Sequence, residues 1–428
     1  MSSQLRILIV GNGGREHTLA WKLAQSPRVD QIFVCPGNGG TATVPKTSNV
    51  ESVKADDFLG LVEFAKSSDV NFLIPGPEAP LVEGITDVFN EHAPAVKVFG
   101  PSKSAARMEG SKTFSKDFMK RHNIPTAAYE NFTDHAAASA YLDKVDHPVV
   151  IKASGLAAGK GVIIPATTEE AKQALKDIML DREFGEAGDE VVIEEFLEGD
   201  ELSFLTFSDG TSIKSLPPAQ DHKRIFDGDQ GPNTGGMGTY APTRIAGPAV
   251  IEEVHRTVLQ PTVDGMKAEG FPMTGCLFTG FMMTKKGPKV LEYNVRFGDP
   301  ETQSLLALMD SDLAELMLAC TDNYLKDFDL RVSSRSAATV VVAAGGYPGS
   351  YKKGTEMKLD PVPSDTMHFH AGTTLKDNVL RTSGGRVIAS TSWASTLEEA
   401  VQKAYKGVEA IHFDGMQYRK DIAGRALK

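Results

Sequence analysis

Within the first hundred residues, short apolar runs end repeatedly in turns of glycine and proline. These are Gly11-Asn12-Gly13-Gly14, Pro36-Gly37-Asn38-Gly39, Pro75-Gly76-Pro77-Glu78 and Gly100-Pro101. The runs at 5–10, 31–35, 70–74 and 97–99 have β character, and 16–25, 57–66 and 79–90 have helical spacing. Strands alternating with helices predict a parallel sheet with crossover helices. Open parallel sheets bind ligands beyond the carboxyl ends of their strands, so the turns predict a binding rim.

The chain has 428 residues, enough for about three domains. After a helical stretch at 104–122, strands at 148–153, 162–165 and 190–196 surround a glycine-rich loop at 154–161 and a helix at 168–180. From 201 the chain turns β-rich. Segment 221–242 is long, polar and glycine-rich with no clear element, a pattern usually functional or mobile. Residues 248–270 read as helix, and 275–284 with 289–296 as a hairpin. A strand at 337–344, short β runs to 390, a helix at 396–411 and a strand at 417–422 complete the chain. The expected boundaries are 1–103, 104–128, 129–199, 200–331 and 332–428, a multidomain α/β and α+β chain with a Rossmann-like N-terminal sheet and a small β-rich C-terminal unit.

A net charge of −11 repels phosphate backbones and anionic membrane surfaces at long range, which argues against nucleic-acid and membrane partners. No apolar run reaches the roughly 18 residues of a membrane helix, and the start lacks the apolar core of a secretory signal. Cys35, Cys276 and Cys320 are too far apart for a disulfide framework or a CxxC metal site. A reduced, cytoplasmic location follows as the expectation.

Gly11-Asn12-Gly13-Gly14-Arg15-Glu16 lies between strand and helix, where backbone N–H groups and the helix dipole can hold a phosphate. The dinucleotide fingerprint needs glycine at position 16, and Glu16 stands there, which favours a single phosphate with Arg15 as an extra partner. A tight βα turn without ligand has the same local sequence.

In Ser154-Gly155-Leu156-Ala157-Ala158-Gly159-Lys160-Gly161 the glycine spacing differs from a Walker A loop. Its small backbone can still drape over a triphosphate, with Lys152 and Lys160 neutralising charge, or form a plain hairpin. The acidic run Glu194 to Glu201 suits adenine and ribose contacts, and equally an ordinary turn. Glu292, Asn294 and Arg296 share one face of a strand, with Leu291, Tyr293 and Val295 on the other. Hard oxygens there suit Mg²⁺, commonly held by one or two carboxylates plus substrate phosphates. The Arg296 fork suits phosphate or carboxylate. His17 reads as an ordinary helix residue, and His368 and His370 as a strand face.

Taken together the segments resemble the ATP-grasp ligases, and within them the phosphoribosylamine–glycine ligase (glycinamide ribonucleotide synthetase) family. The matching motifs are GNGGREH at 11–17, PGNGGTA at 36–42, GPEAPL at 76–81, KASGLAAGKGV at 152–162, PPAQDHKR at 217–224, GPNTGGMG at 231–238, LEYNVRFGDPETQ at 291–303 and GGRV at 384–387. The resemblance implies an N-terminal substrate domain at 1–103, a helical linker at 104–128, an ATP-grasp subdomain with a glycine-rich lid at 129–199, a catalytic subdomain at 200–331 and a C-terminal domain. It implies ATP and Mg²⁺ or Mn²⁺, with Glu292 and Asn294 as metal ligands. Lys112, Lys152, Gly155, Gly159, Lys160 and Gly161 would serve the ATP phosphates, Glu194 and Leu197 the adenine, and Glu201 the ribose.

The substrates implied are glycine and 5-phosphoribosylamine, joined through a glycyl phosphate in de novo purine biosynthesis. Arg296, Asp221, Lys223 and Asp299 would carry the chemistry. Gly13, Gly14, Arg15, Asn38, Pro77, Glu78, His222, Asn233 and Gly236 would hold substrate. Arg224 belongs to the same QDHKR segment as Asp221, His222 and Lys223, which is expected to position glycine and the transferred phosphoryl group. One departure stands out. Many ATP-grasp enzymes carry a further acidic ligand on the strand before the ExN motif, and 276–283 has none. Two rival readings are an ATP-grasp carboxylase, against which QDHKR and PNTGGMG speak, and a nucleotide-binding protein without activity. The sequence leaves open whether the chain stands alone or is part of a longer multifunctional polypeptide.

Overall fold

The computed structural model describes residues 4–157 and 160–427. Gly159, expected in the triphosphate loop, lies outside the described residues.

The N-terminal sheet contains β1 (Leu5–Gly11), β2 (Val29–Pro36), β3 (Thr47–Asn49), β4 (Phe72–Pro75) and β5 (Lys97–Val98), all parallel in the order β3-β2-β1-β4-β5. Central β1 is covered on both faces, as a parallel strand between helices must be. Side chains alternate along it, so Leu8 and Val10 enter one core with Leu61, Val62 and Phe89. Ile7 and Ile9 enter another with Leu19, Leu23 and Leu305. Each fully buried aliphatic side chain contributes roughly 1.5–3 kcal/mol. The first core also holds Phe204 and Val290, and the second Phe207 and Phe297, so residues from 204–297 pack into the same cores as the N-terminal sheet.

The expected helix at 104–122 is two helices, Lys103–Gly110 and Lys112–Arg121. They break at Ser111, whose Oγ accepts the Phe114 N–H at 3.2 Å and caps the second. Two four-stranded sheets follow. One orders Tyr129–Phe132, Val191–Glu195, Val149–Ala153 and Val162–Ile163; the other orders Ile213–Ser215, Asp200–Asp209, Thr274–Thr284 and Gly287–Asn294.

Segment 221–242, expected to lack clear elements, is structured. It holds the short hairpin Arg224–Phe226 with Gln230–Asn233, and the strand Gly238–Ala241. Gly238–Ala241 pairs on one side with Gln220–Asp221 and on the other with Ser336–Ala344, about a hundred residues on. Arg386–Ala394 and Thr366–His370 continue this sheet, so the C-terminal unit and the segment before it share a single sheet. Strands this short and glycine-rich carry no period-2 signal, and their main partner is distant in sequence.

The C-terminal sheet docks on the helix Gly14–Leu23 through buried histidines. His17 Nδ1 accepts the His370 N–H at 2.8 Å, and Asn38 Nδ2 donates to the His370 carbonyl at 2.8 Å. His370 Nδ1 lies 3.1 Å from Thr373 Oγ1, and His368 Nε2 2.7 Å from the Gly407 carbonyl. His368 and His370 do lie on a strand, and His17 on a helix; beyond that expectation, His17 and His370 meet across the domains, while His368 bonds within the C-terminal unit. Burial, then His370, lowers the His17 pKa, and burial, then His368, lowers that of His370 to about 4. The unfolded chain takes up these protons near pH 6.5, whereas the fold resists them until lower pH. Stability should therefore be complete above pH 6.5 and fall as pH drops toward 4. His370→Asn should remove on the order of 2–3 kcal/mol of that pH-dependent loss. Denaturant titrations at pH 7 and pH 4.5 check this, and equal pH slopes in the two proteins would contradict it.

Candidate functional site

Glu292 and Asn294 end the strand Gly287–Asn294 and face the same way. Arg296, just beyond, donates from Nη2 to Asn294 Oδ1 at 3.0 Å, as the alternation predicts. Its guanidinium also lies 2.9 Å from Glu109 Oε1 and 3.4 Å from Glu78 Oε2. Glu109, which the sequence reading missed, accepts the Val295 N–H at 2.8 Å through its other oxygen. Burial pushes the Glu109 carboxyl up, and Arg296 only partly offsets this. Burial raises Glu78 too, but Arg296 and Arg15 outweigh it and hold that carboxyl below its ordinary value.

Burial would likewise raise Glu292, yet Lys223, Lys152 and Lys112, with Arg296, hold it below the usual range. Lys223 Nζ is 3.3 Å from Glu201 and 3.7 Å from Glu292. Glu201, against opposing burial, raises its pKa well above normal, so it is a fixed cation. Asp221 is raised by burial despite Lys223. Glu301, also missed, is pushed by burial and by Asp221 up to about 8. The strand before Glu292 presents Gly280 opposite it, so the nearby acids come from other elements. Among the described residues no group of three or more His, Cys, Asp or Glu side chains is arranged to hold a metal. The carboxylate and amide oxygen of Glu292 and Asn294 fit Mg²⁺ completed by nucleotide phosphates and water.

Beside this cluster, Glu194 lies fully buried between Lys116 Nζ at 3.1 Å and Lys152 Nζ at 3.0 Å. Lys116 was not foreseen, and burial lowers its pKa to about 8 against the pull of Glu194. Lys152 Nζ donates to the Leu291 carbonyl at 3.3 Å and Lys112 Nζ to the Gly155 carbonyl at 3.2 Å. Burial lowers the Lys112 pKa. Leu197 joins Ala127, Met282 and Leu291 in a small apolar patch between the two four-stranded sheets, suited to a flat ring. The flanks of the glycine-rich loop are anchored: Gly155 N–H donates to the Ala187 carbonyl at 3.0 Å, and Ala153 N–H to Gly161 at 2.8 Å. Gly155 is required by close approach, since a Cβ there would lie 2.7 Å from Ala187 Cα. Lys160 is exposed.

On the N-terminal rim the turn N–H groups meet carboxylates of the protein itself. Gly13 N–H donates to Glu16 Oε2 at 2.6 Å and Arg15 N–H to Asp299 Oδ2 at 3.2 Å. The expected phosphate cradle therefore does not offer these two amides, because Glu16 folds back where the fingerprint has glycine. The Arg15 guanidinium pairs with Glu16 and donates to the Phe297 carbonyl at 3.2 Å. A Cβ on Gly14 would lie 2.5 Å from Gln303 Nε2. Buried Asn38 donates to the carbonyls of Asn12 and His370 and acts as a cross-link. Pro77 precedes the helix Glu78–Glu83 as its N-cap.

Asp299 Oδ1 accepts from Gln303 at 3.0 Å and lies 3.5 Å from Arg386 of the GGRV motif. Gly236, at φ +117°, offers its carbonyl to Arg386 at 3.2 Å. Asn233 pairs with Arg224 across the hairpin. His222 differs from expectation. Its Nε2 accepts the Ala423 N–H at 3.2 Å, its Nδ1 lies 3.3 Å from the Gly238 carbonyl, and burial with Arg419 lowers its pKa to about 4. Both ring nitrogens are engaged, so it fastens its segment instead of reaching for substrate.

Three family models cover most of the chain: the Phosphoribosylglycinamide synthetase N domain at residues 5–109, its ATP-grasp (A) domain at 110–302 and its C domain at 337–425. The phosphoribosylamine–glycine ligase of Vibrio vulnificus is 49% identical, over 99% of this chain and 99% of its own length. The bifunctional purine biosynthetic protein of Pichia angusta is 59% identical over 99% of this chain, which spans 54% of that protein, about half its length. A trifunctional purine biosynthetic protein of Gallus gallus is 50% identical, with 42% of its length covered. The crystal structure of the Thermotoga maritima phosphoribosylamine–glycine ligase superposes with a TM-score of 0.85 at 34% identity, covering 98% of this chain and 100% of that one. The biotin carboxylase domain of a Hydrogenobacter thermophilus 2-oxoglutarate carboxylase, a complex with MgADP, shares the fold at a TM-score of 0.72 and 17% identity. Full-length likeness and the clustered Lys152, Glu292, Asn294 and Arg296 agree: the chain belongs to the phosphoribosylamine–glycine ligase family of ATP-grasp enzymes, which act in purine biosynthesis.

Proposed function

We propose that this chain joins glycine to 5-phosphoribosylamine at the expense of ATP, through glycyl phosphate, giving glycinamide ribonucleotide, ADP and phosphate in the cytoplasm. The observation that carries the reading is the Glu292–Asn294 pair surrounded by Lys112, Lys152 and Lys223. Bound there, Mg²⁺ or Mn²⁺ supplies Lewis-acid neutralisation of the phosphoryl oxygens. Lys112 and Lys152 balance the triphosphate, the Leu197 patch takes the adenine and Glu201 the ribose. Glu194 sets Lys152 beside that slot, and Gly155, Lys160 and Gly161 cover the phosphates.

Glycine's carboxylate attacks the γ-phosphorus and ADP leaves. The amine of 5-phosphoribosylamine then attacks the acyl carbon and phosphate departs. The protein's part is to orient anions and offset their charge in a water-poor site. Lys223, kept protonated by Glu201, and Arg296, kept in place by Glu109, are the cations for the transferred group, with Asp221 beside Lys223. Asp299, with Gly13 and Gly14 beside it, is proposed to line the ribosylamine side together with Glu78, Asn233 and Gly236. Cys35, Cys276 and Cys320 are all buried and offer no nucleophile. Among the described residues no helix is long and apolar enough to cross a membrane. The multifunctional relatives make fusion to other purine-pathway enzymes part of the proposal.

ADP release should require glycine and 5-phosphoribosylamine together and ignore bicarbonate; bicarbonate-dependent release would favour a carboxylase. Glu292→Gln should melt like the parent and lose about 10²–10³ in kcat at saturating metal. Near-parental turnover would remove Glu292 from the metal role.

Glu194→Gln should act through stability instead. It leaves two buried ammonium groups without their counter-charge, at a cost of about 3–5 kcal/mol. Thermal melts with and without ATP check this; a loss within about 1 kcal/mol would mean that the lysines find other partners.

A further inference from the structure

The QDHKR segment is held from outside its own subdomain. Arg419, near the C-terminal end of the chain, has a side chain only 1% exposed. Its Nε and Nη2 donate to the two oxygens of Asp421, each at 2.8 Å, while Nη1 donates to Asp229 at 2.9 Å and to the Arg224 carbonyl at 3.2 Å. Asp421 in turn accepts the Gly228 N–H at 2.9 Å, and Lys420 N–H donates to Asp227 at 2.8 Å. Ala423 donates its N–H to His222 from a left-handed backbone, φ 63°. That conformation costs a non-glycine residue free energy and persists only where the surroundings impose it. Tyr405 accepts the Ile422 N–H and donates to the Arg419 carbonyl, tying the segment to the C-terminal helix Leu397–Glu409.

These bonds grip 222–229 at its backbone and turn, and Lys223 projects from the same stretch toward Glu201 and Glu292. The grip thus sets where the Lys223 ammonium stands relative to the phosphoryl-transfer centre. We propose that Arg419 is a positioning residue for phosphoryl transfer: its fork clamps the 222–229 hairpin so that Asp221 and Lys223 face Glu292. The inference rests on the reaction proposed above.

A displacement of a reacting group by about 1 Å can cost 10²-fold in rate. Arg419→Lys keeps the charge and loses the fork. It should lower kcat roughly 10- to 100-fold and raise the KM for glycine, with the KM for ATP little changed. Asp229→Asn removes the charge of a partly exposed partner and keeps a side chain that tolerates the left-handed backbone at this position, φ 55°; it should shift the same quantities less. The double variant should lose less than the sum of the two single losses, because the residues share one contact while Asp229 also pairs with Arg425 at 3.3 Å. Hydrogen exchange of amides 222–238 in the substrate-free protein should quicken in both variants while the N-terminal sheet stays protected. Parental kcat and exchange in Arg419→Lys would overturn the proposal, as would a loss that follows the melting temperature and weakens ATP equally. Should Arg419→Lys fail to fold, Asp229→Asn decides by the same readouts. Parental protein without glycine-dependent ADP release would overturn the reaction, whereas the exchange comparison would still judge the clamp.

Discussion

One buried carboxylate, Asp299, joins the three domains. It accepts the Arg15 N–H from the N-terminal unit, is held by Gln303 within its own, and faces Arg386 from the C-terminal unit. Burial alone would raise its pKa, but Arg386 and then Arg15 keep it ionised. Removing either cation while the carboxylate stays buried would cost several kcal/mol, so the junction needs both arginines in place. The RFGDPE segment that carries Asp299 leads straight out of the strand bearing Glu292 and Asn294, which places the junction close in sequence to the pair proposed to hold the metal.

The carboxyls around the transfer centre divide into two populations by environment. Glu292 has three lysines against its burial and stays ionised. Glu301 faces Asp221 in addition to its burial and keeps its proton up to about pH 8. Opposite protonation at neutral pH arises from neighbours, not residue type. One carboxylate can then serve a cation while its neighbour adds no negative charge beside an already anionic nucleotide.

Local signals in the sequence were strong wherever structure is local. The alternation of apolar runs and Gly-Pro turns located the parallel sheet, and the period of two placed Glu292, Asn294 and Arg296 on one face, where Arg296 does meet Asn294. What was hidden depends on distant pairs. Lys116 looks like any helix lysine until Glu194 approaches it, and Glu109 like any exposed acid until Arg296 does. His17 gains its partner 353 residues away. The glycine turn at 11–14 misleads for a different reason: a free amide and a bonded one look alike in sequence, yet Gly13 N–H meets Glu16 and the next residue's amide, Arg15 N–H, meets Asp299.

The sheet that runs from Gln220–Asp221 through Gly238–Ala241 into Ser336–Ala344 has an evolutionary side. A unit of recombination must carry its backbone partners with it. A chimera exchanging only residues 337–425 between relatives would graft strands onto a foreign edge and a foreign neighbouring hairpin at once. The single-function and the fused relatives alike align with 99% of this chain, across both sides of that shared sheet.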